Sequence, residues 1–204
     1  MALSTFTELK ASIADFLNRS DLTSVIPDFI TLSEADMARR LRHWRMESRT
    51  TLTVSGQFTD LPAGFIEVTK VSLSDTTARR MEAISRGQMQ TLREKDDDTA
   101  GKPQYYTLTG GQLEVWPTPD DTYSVDFAYM KFDDLSDSNT SNWVLTNHPD
   151  AYLYGALLQA APYLSDDIRI PVWEGKYETA IVEINNDSKR ADLGSNPRIR
   201  IGSY

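Results

Sequence analysis

The hydrophobic period changes twice along this chain, and that change constrains the fold more than any other feature. Near both ends, apolar residues recur three and four positions apart, as on one side of an α-helix. Between them they alternate, as on one face of a β-strand. The pattern predicts an α+β protein in which N- and C-terminal helices form one bundle, an antiparallel β lobe is inserted between them, and an extended C-terminal tail follows. The expected boundaries are 1–48 for the N-terminal helices, 49–131 for the β lobe, 132–191 for the C-terminal helices and 192–204 for the tail.

The first helix is announced by Thr5 and Glu8, which have capping-box spacing, and its apolar side is Leu9, Ile13, Phe16 and Leu17. A second helix is expected from Val25 to Arg42, with Pro27 in the first turn and a stripe of Ile26, Phe29, Ile30, Ser33, Met37 and Leu41. Its acids (Asp28, Glu34, Asp36) come early and its bases (Arg39, Arg40, Arg42, Arg45) late, the order that complements the helix dipole. A third helix is expected over Ala151–Leu164, with Leu153, Leu157, Leu158 and Ala161 inward and small residues that admit a close neighbour. A fourth runs from after Asp167 to about Arg190, burying Trp173, Tyr177, Ala180, Ile181 and Ile184.

In the middle, Thr51–Val54 and Gln57–Thr59 around Ser55-Gly56 read as a hairpin. Phe65–Leu73 is a strand whose slipping alternation predicts a β-bulge. Arg79–Ile84 is a further strand, and Ser85–Glu94 a short helix. The clearest hairpin is Tyr105–Thr109 with Gln112–Trp116, turned at Gly110-Gly111, because glycine accepts the positive φ that a two-residue turn requires. Tyr123, Val125, Phe127 and Tyr129 alternate with polar residues as in a half-buried strand.

Residues with chemistry are sparse. There is no cysteine, which excludes disulfides, thiolate metal sites and a cysteine nucleophile. His43 and His148 are far apart and lack metal-ligand spacing, and no phosphate-binding glycine loop or Gly-x-Ser-x-Gly elbow occurs. Asp96-Asp97-Asp98 lacks the alternating ligands of a calcium loop and reads as a solvated turn. No cofactor and no catalysis are expected. Tyr105, Tyr106, Trp116, Tyr123 and Tyr129 fit core and cross-strand pairs better than a sugar-binding face. Met1–Thr5 has no signal-peptide character and no apolar run approaches a membrane span, so folding in the cytoplasm without a membrane is expected. The net charge of −9 disfavours tight nucleic-acid binding and suits a surface past which DNA slides. In the tail, Arg198 and Arg200 alternate with Ile199 and Ile201, a pattern suited to joining a partner's sheet or groove.

Several segments carry a pattern in their order and spacing: Leu61–Val68; Lys102–Tyr106, Gly110-Gly111 and Leu113–Pro119; Asn142–Asp150 running into Tyr152–Leu157; and Trp173-Glu174, Tyr177 and Ala180. Together they resemble the adaptor proteins beneath the portal of tailed phages, including the tail tubular protein A type of short-tailed phages. The resemblance spans roughly residues 3–190 and departs at the Asp96–Gly101 loop. It implies a non-enzymatic virion protein of the neck. Such a protein forms a ring, a dodecamer, that binds the portal protein, extends the DNA channel without specific DNA binding and carries the tail or nozzle protein. Carried onto this chain, it implies portal docking by Pro197, Arg198, Ile199, Arg200 and Ile201. A subunit interface between Arg39, Arg40 and Arg42 and the acids Asp28 and Glu34 is compatible with it. The competing readings are another neck protein, such as a stopper or terminator, a cell-wall polysaccharide hydrolase and a carbohydrate-binding module.

Overall fold

A computed structural model describes residues 3–19, 21–74, 80–95, 100–164 and 168–193. The protein is α+β, and it divides into two compact units: one built from residues 1–46 and 132–204, the other from 47–131. The triple-aspartate loop and the tail from residue 194 onward lie outside the described residues.

The helical unit begins with α1 (Phe6–Leu17). The Thr5 hydroxyl accepts from the Glu8 amide at 3.3 Å and the Glu8 carboxylate accepts from the Thr5 amide at 3.1 Å, closing the expected capping box. Such a cap is worth about 1 kcal/mol. Helix α2 (Ile26–Arg40) ends two residues before the expected stop, with Leu41 already extended. Its stripe is buried as expected, but Glu34 is buried beside it.

A short helix that the sequence did not announce, α4 (Trp143–Asn147), is capped by Asn142. At five residues it is too short to show a period. The expected third helix is divided: α5 (Pro149–Gln159) stops at Ala160, and a 3₁₀ turn takes over at Ala161–Tyr163. Pro162 lacks the N–H that would continue the α ladder. Tyr152 is the largest inward side chain of α5, while Leu158 and Ala161 are only partly buried. Gly155 lets α2 and α6 (Ile170–Leu193) approach: a Cβ there would run into Ser33 Oγ and come within 2.9 Å of the Tyr177 ring. Trp173, Tyr177, Ala180, Ile181 and Ile184 form the buried stripe of α6.

The β unit holds two sheets. In the first, β1 (Glu47–Val54), β7 (Tyr123–Lys131) and β3 (Phe65–Leu73) lie in the order β1-β7-β3, all antiparallel. In the second the order is β2-β6-β5-β4, with β2 (Phe58–Asp60), β4 (Glu82–Ala83), β5 (Tyr105–Thr109) and β6 (Gln112–Trp116). Helix α3 (Arg86–Lys95) packs on β5. The expected hairpin over 51–59 is not formed. The turn at Ser55-Gly56 exists, but β1 pairs with β7 and β2 with β6, in different sheets. The expected strand 79–84 shrinks to β4, parallel to β5, and a single Ser72–Arg80 bridge. The β5–β6 hairpin is as expected, with Gly110 at φ 60° and Gly111 at φ 80°. The bulge in β3 is real and doubled, with register shifts at Phe65/Glu67 and Val68/Lys70. Both sheets feed one apolar core that includes Val54, Leu73, Leu113, Val115, Val125 and Phe127. Each such side chain contributes about 2 kcal/mol by leaving water.

Candidate functional site

The end of α2 carries the arginine cluster, and its members differ in what they do. Arg42 turns back on its own helix: its guanidinium donates to the carbonyls of Leu41 (2.7 Å), Ala38 (3.2 Å) and Arg39 (3.3 Å). These are carbonyls that a helix terminus leaves without partners. Arg40 reaches α6, donating to both Glu178 oxygens, one at 2.8 Å, and to Asp36 at 3.4 Å. Its own pKa is pushed up, mainly by the Glu178 bond. Arg39 is the outward member, with 70% of its side chain exposed and a loose contact to Asp36 at 3.3 Å. Asp28 is exposed near the other end of the helix.

Glu34 does not belong to that surface. It is 2% exposed and accepts from the Leu135 amide (2.7 Å) and the Tyr152 hydroxyl (2.9 Å). Asn142 donates to the Tyr152 oxygen at 2.5 Å. The expected pairing of Glu34 with a neighbouring arginine is therefore withdrawn: its carboxyl faces the interior of its own unit, joining α2 to α5 and to the segment before α4. Burial pushes its pKa up to about 7 against the pull of these two donors, with the nearby Asp134 acting in the same direction as burial.

The two histidines, separated in sequence, line one cleft of about 300 Å³ with Arg45, Trp143, Asn147 and Asp187. His43 stacks on Trp143 with centroids 4.6 Å apart, and His148 meets the same ring edge-on at 6.3 Å. The Nδ1 of His43 accepts from the Arg45 amide at 3.1 Å, which leaves the proton of the neutral ring on Nε2, 3.4 Å from Asp187. Burial lowers the pKa of His43, against the pull of Asp187. Asp187 and His43 thus have the relation of acid and base in a hydrolytic triad. The nitrogen that would activate a nucleophile is occupied by main chain instead. No spacing rule in the sequence could have joined these residues, because α2, α4 and α6 meet only through packing.

The same face of α6 holds the chain as it leaves α2. Asn185 accepts from the Arg42 amide (2.8 Å) and donates to the Arg40 carbonyl (3.1 Å), while Ser188 accepts from the Trp44 amide (3.1 Å).

In the β unit, the aromatic residues do not form one face. Tyr105, Tyr106 and Trp116 belong to the second sheet, Tyr123 and Tyr129 to the first, and Tyr106 and Tyr129 are core. Tyr105 packs against Trp116 at 5.9 Å. Arg93 of α3 forms a largely buried ion pair with Glu114 at 3.0 Å and also donates to the Val115 carbonyl at 2.8 Å. Gln57 supplies Glu114 with a second donor at 3.1 Å. Among the described residues there is no cluster of three or more metal-ligating side chains, and no helix is long and apolar enough to cross a membrane.

The tail residues Pro197, Arg198, Ile199, Arg200 and Ile201 lie outside the described residues. The family model described as SU10 adaptor protein matches residues 4–200 of the chain. No curated protein matches it.

Proposed function

The chain belongs to the SU10 adaptor protein family, a family of phage structural proteins, and from that premise we propose that it is a ring subunit of the virion neck that binds the portal protein, extends the DNA channel and provides the platform for a tail or nozzle protein. The observation that carries this reading is the match over residues 4–200, nearly the whole chain. A ring, here a dodecamer, needs two different faces that fit each other, and a heterologous contact of that kind closes only at a fixed angle. We assign one such pair of patches to the exposed ends of α2, with Arg39 on one side and Asp28 on the other. The likeness to the tail tubular protein A type and assembly in the host cytoplasm belong to the same proposal.

The acidity of the chain supports passive transit of DNA, since the net charge of −9 repels phosphate rather than holding it. The His43–Asp187 pair lends the hydrolase reading no support, because the second ring nitrogen of His43 accepts from the Arg45 amide.

The test is to mix the purified protein with the portal of the same phage and image the particles. An added ring on the portal is the expected outcome; a bare portal at saturating protein overturns the reading. Arg39→Gln should weaken ring assembly by about threefold, the size expected of an exposed ion pair, without changing the melting temperature.

A further inference from the structure

Helix α6 has two sides of opposite fate. Trp173, Tyr177, Ala180, Ile181 and Ile184 are buried in the helical unit. On the other side, Val172, Gly175, Thr179, Val182 and Asn186 recur at spacings of three, four, three and four, and all five are exposed. That spacing is the a/d seam of a coiled coil, the line along which one helix receives another. A solvated helix face is ordinarily charged, yet this stripe holds no charge over about four turns, and Val172 and Val182 are 60% and 54% exposed. Gly175 sits within the stripe. Glycine weakens a helix interior, and among the described residues nothing lies within 4 Å of where its Cβ would stand, so its smallness serves no neighbour in its own chain. The Thr179 hydroxyl already donates to the Gly175 carbonyl at 2.8 Å, so covering it strands no donor. Apolar surface continues beyond the N-terminal end of the stripe: Ile168, in the turn before α6, is exposed, and so is Phe16, whose carbonyl accepts from Arg169 at 2.9 Å.

We propose that this outer stripe of α6 docks on the same stripe of a second copy of the chain, the two helices running antiparallel about a twofold axis midway between Gly175 and Thr179.

The stripe is its own complement. In an antiparallel pair each a position meets a d position, so Val172 meets Val182 of the second copy, and Gly175 meets Thr179 where the helices come closest. The flanking charges set the direction. Antiparallel helices bring Lys176 of one copy within a turn of Glu183 of the other, and symmetry makes this pair twice; both side chains are exposed. A parallel pair would instead bring Glu178 beside Glu183, carboxylate against carboxylate. A twofold contact closes at two copies. It is therefore separate from the head-to-tail contact of the ring, belongs to the free chain, and does not rest on the adaptor reading.

Sedimentation equilibrium of the purified full-length protein should show a dimer with a dissociation constant below about 1 mM. Gly175→Leu should act in two opposite directions. Its Cβ meets nothing among the described residues and leucine favours a helix, so the melting temperature holds or rises, while dimerisation weakens at least tenfold. Lys176→Glu should weaken the dimer about fivefold, and Lys176→Glu/Glu183→Lys should restore it. The chain has no cysteine, so introduced thiols report without background. Val172→Cys and Val182→Cys proteins treated with a short bismaleimide should link when mixed and not when alone. A chain that stays monomeric at about 1 mM, a dimer indifferent to Gly175→Leu, or Val172→Cys protein that links to itself would overturn the proposal. So would Gly175→Leu protein that no longer adds a ring to a portal ringed by the unaltered chain, which would assign the stripe to the ring contact instead.

Discussion

Each unit of this protein buries a glutamate, and the two solutions differ. In the β unit, Glu114 is 9% exposed and is met by the Arg93 guanidinium at 3.0 Å and by Gln57. In the helical unit, Glu34 is met by a main-chain amide and a tyrosine hydroxyl. A carboxylate held by neutral donors in an apolar interior is pushed toward its acid form, as Glu34 is. The β unit has thus spent a cation where the helical unit has spent tertiary contacts. Proton binding therefore enters the stability of the helical unit through Glu34, and His43, whose pKa is lowered, adds an opposite term.

Four variants break or sharpen this contrast. Tyr152→Ala removes a fully buried ring and one donor to Glu34; a loss of about 4 kcal/mol is expected, read by denaturant titration, with hydrogen exchange accelerated in α5 while β6 is unchanged. Arg93→Met leaves Glu114 buried without its cation, for a loss of about 3 kcal/mol seen as faster exchange in β5 and β6 and not in α5. Glu34→Gln keeps size and acceptor, and its effect depends on pH. The folded state holds the Glu34 proton more tightly than the unfolded chain, so the native protein loses stability as pH rises from about 4.5 through about 7. The glutamine variant should be more stable by about 2 kcal/mol at pH 8 and indistinguishable below pH 4.5. His43 works the other way: its lowered pKa stabilises the fold above the ordinary histidine value, and that contribution is lost as pH falls through it. In Glu34→Gln protein, acid sensitivity should therefore stand out alone. The smallest effect is Thr5→Ala, about 1 kcal/mol, appearing as fraying of α1 by hydrogen exchange.

What could be read from the sequence is what local chemistry decides. The Thr5–Glu8 cap, the α2 stripe, the Gly110-Gly111 turn and the α6 face follow from residue types within one or two turns of each other. The failed hairpin shows the limit. Ser55-Gly56 does turn the chain, but which strands pair is settled by partners as distant as Tyr123–Met130 for β1 and Gln112–Glu114 for β2. The candidate site was less legible. The position of Arg39, Arg40 and Arg42 at the end of α2 can be read from the sequence, but the turn of Arg40 toward Glu178, 138 positions away, cannot. Glu34 was misplaced because its stripe position is visible only once α5 brings Tyr152 to it, 118 residues away. Trp143 lies in a helix too short to announce itself, and it is the ring that joins His43 to His148.

The helical unit is assembled from segments on either side of the β unit, and this sets an order of birth. A ribosome adds roughly 5–20 residues each second, and domains generally fold as units when their residues are out. Residues 47–131 are contiguous and can close while synthesis continues, but α1 and α2 must wait for α5 and α6. The Arg40–Glu178 contact spans 138 positions, so α1 and α2 have only each other to pack on until α5 and α6 have been made. A nascent chain of this design is most vulnerable at α1 and α2, and it is α6 that closes the unit.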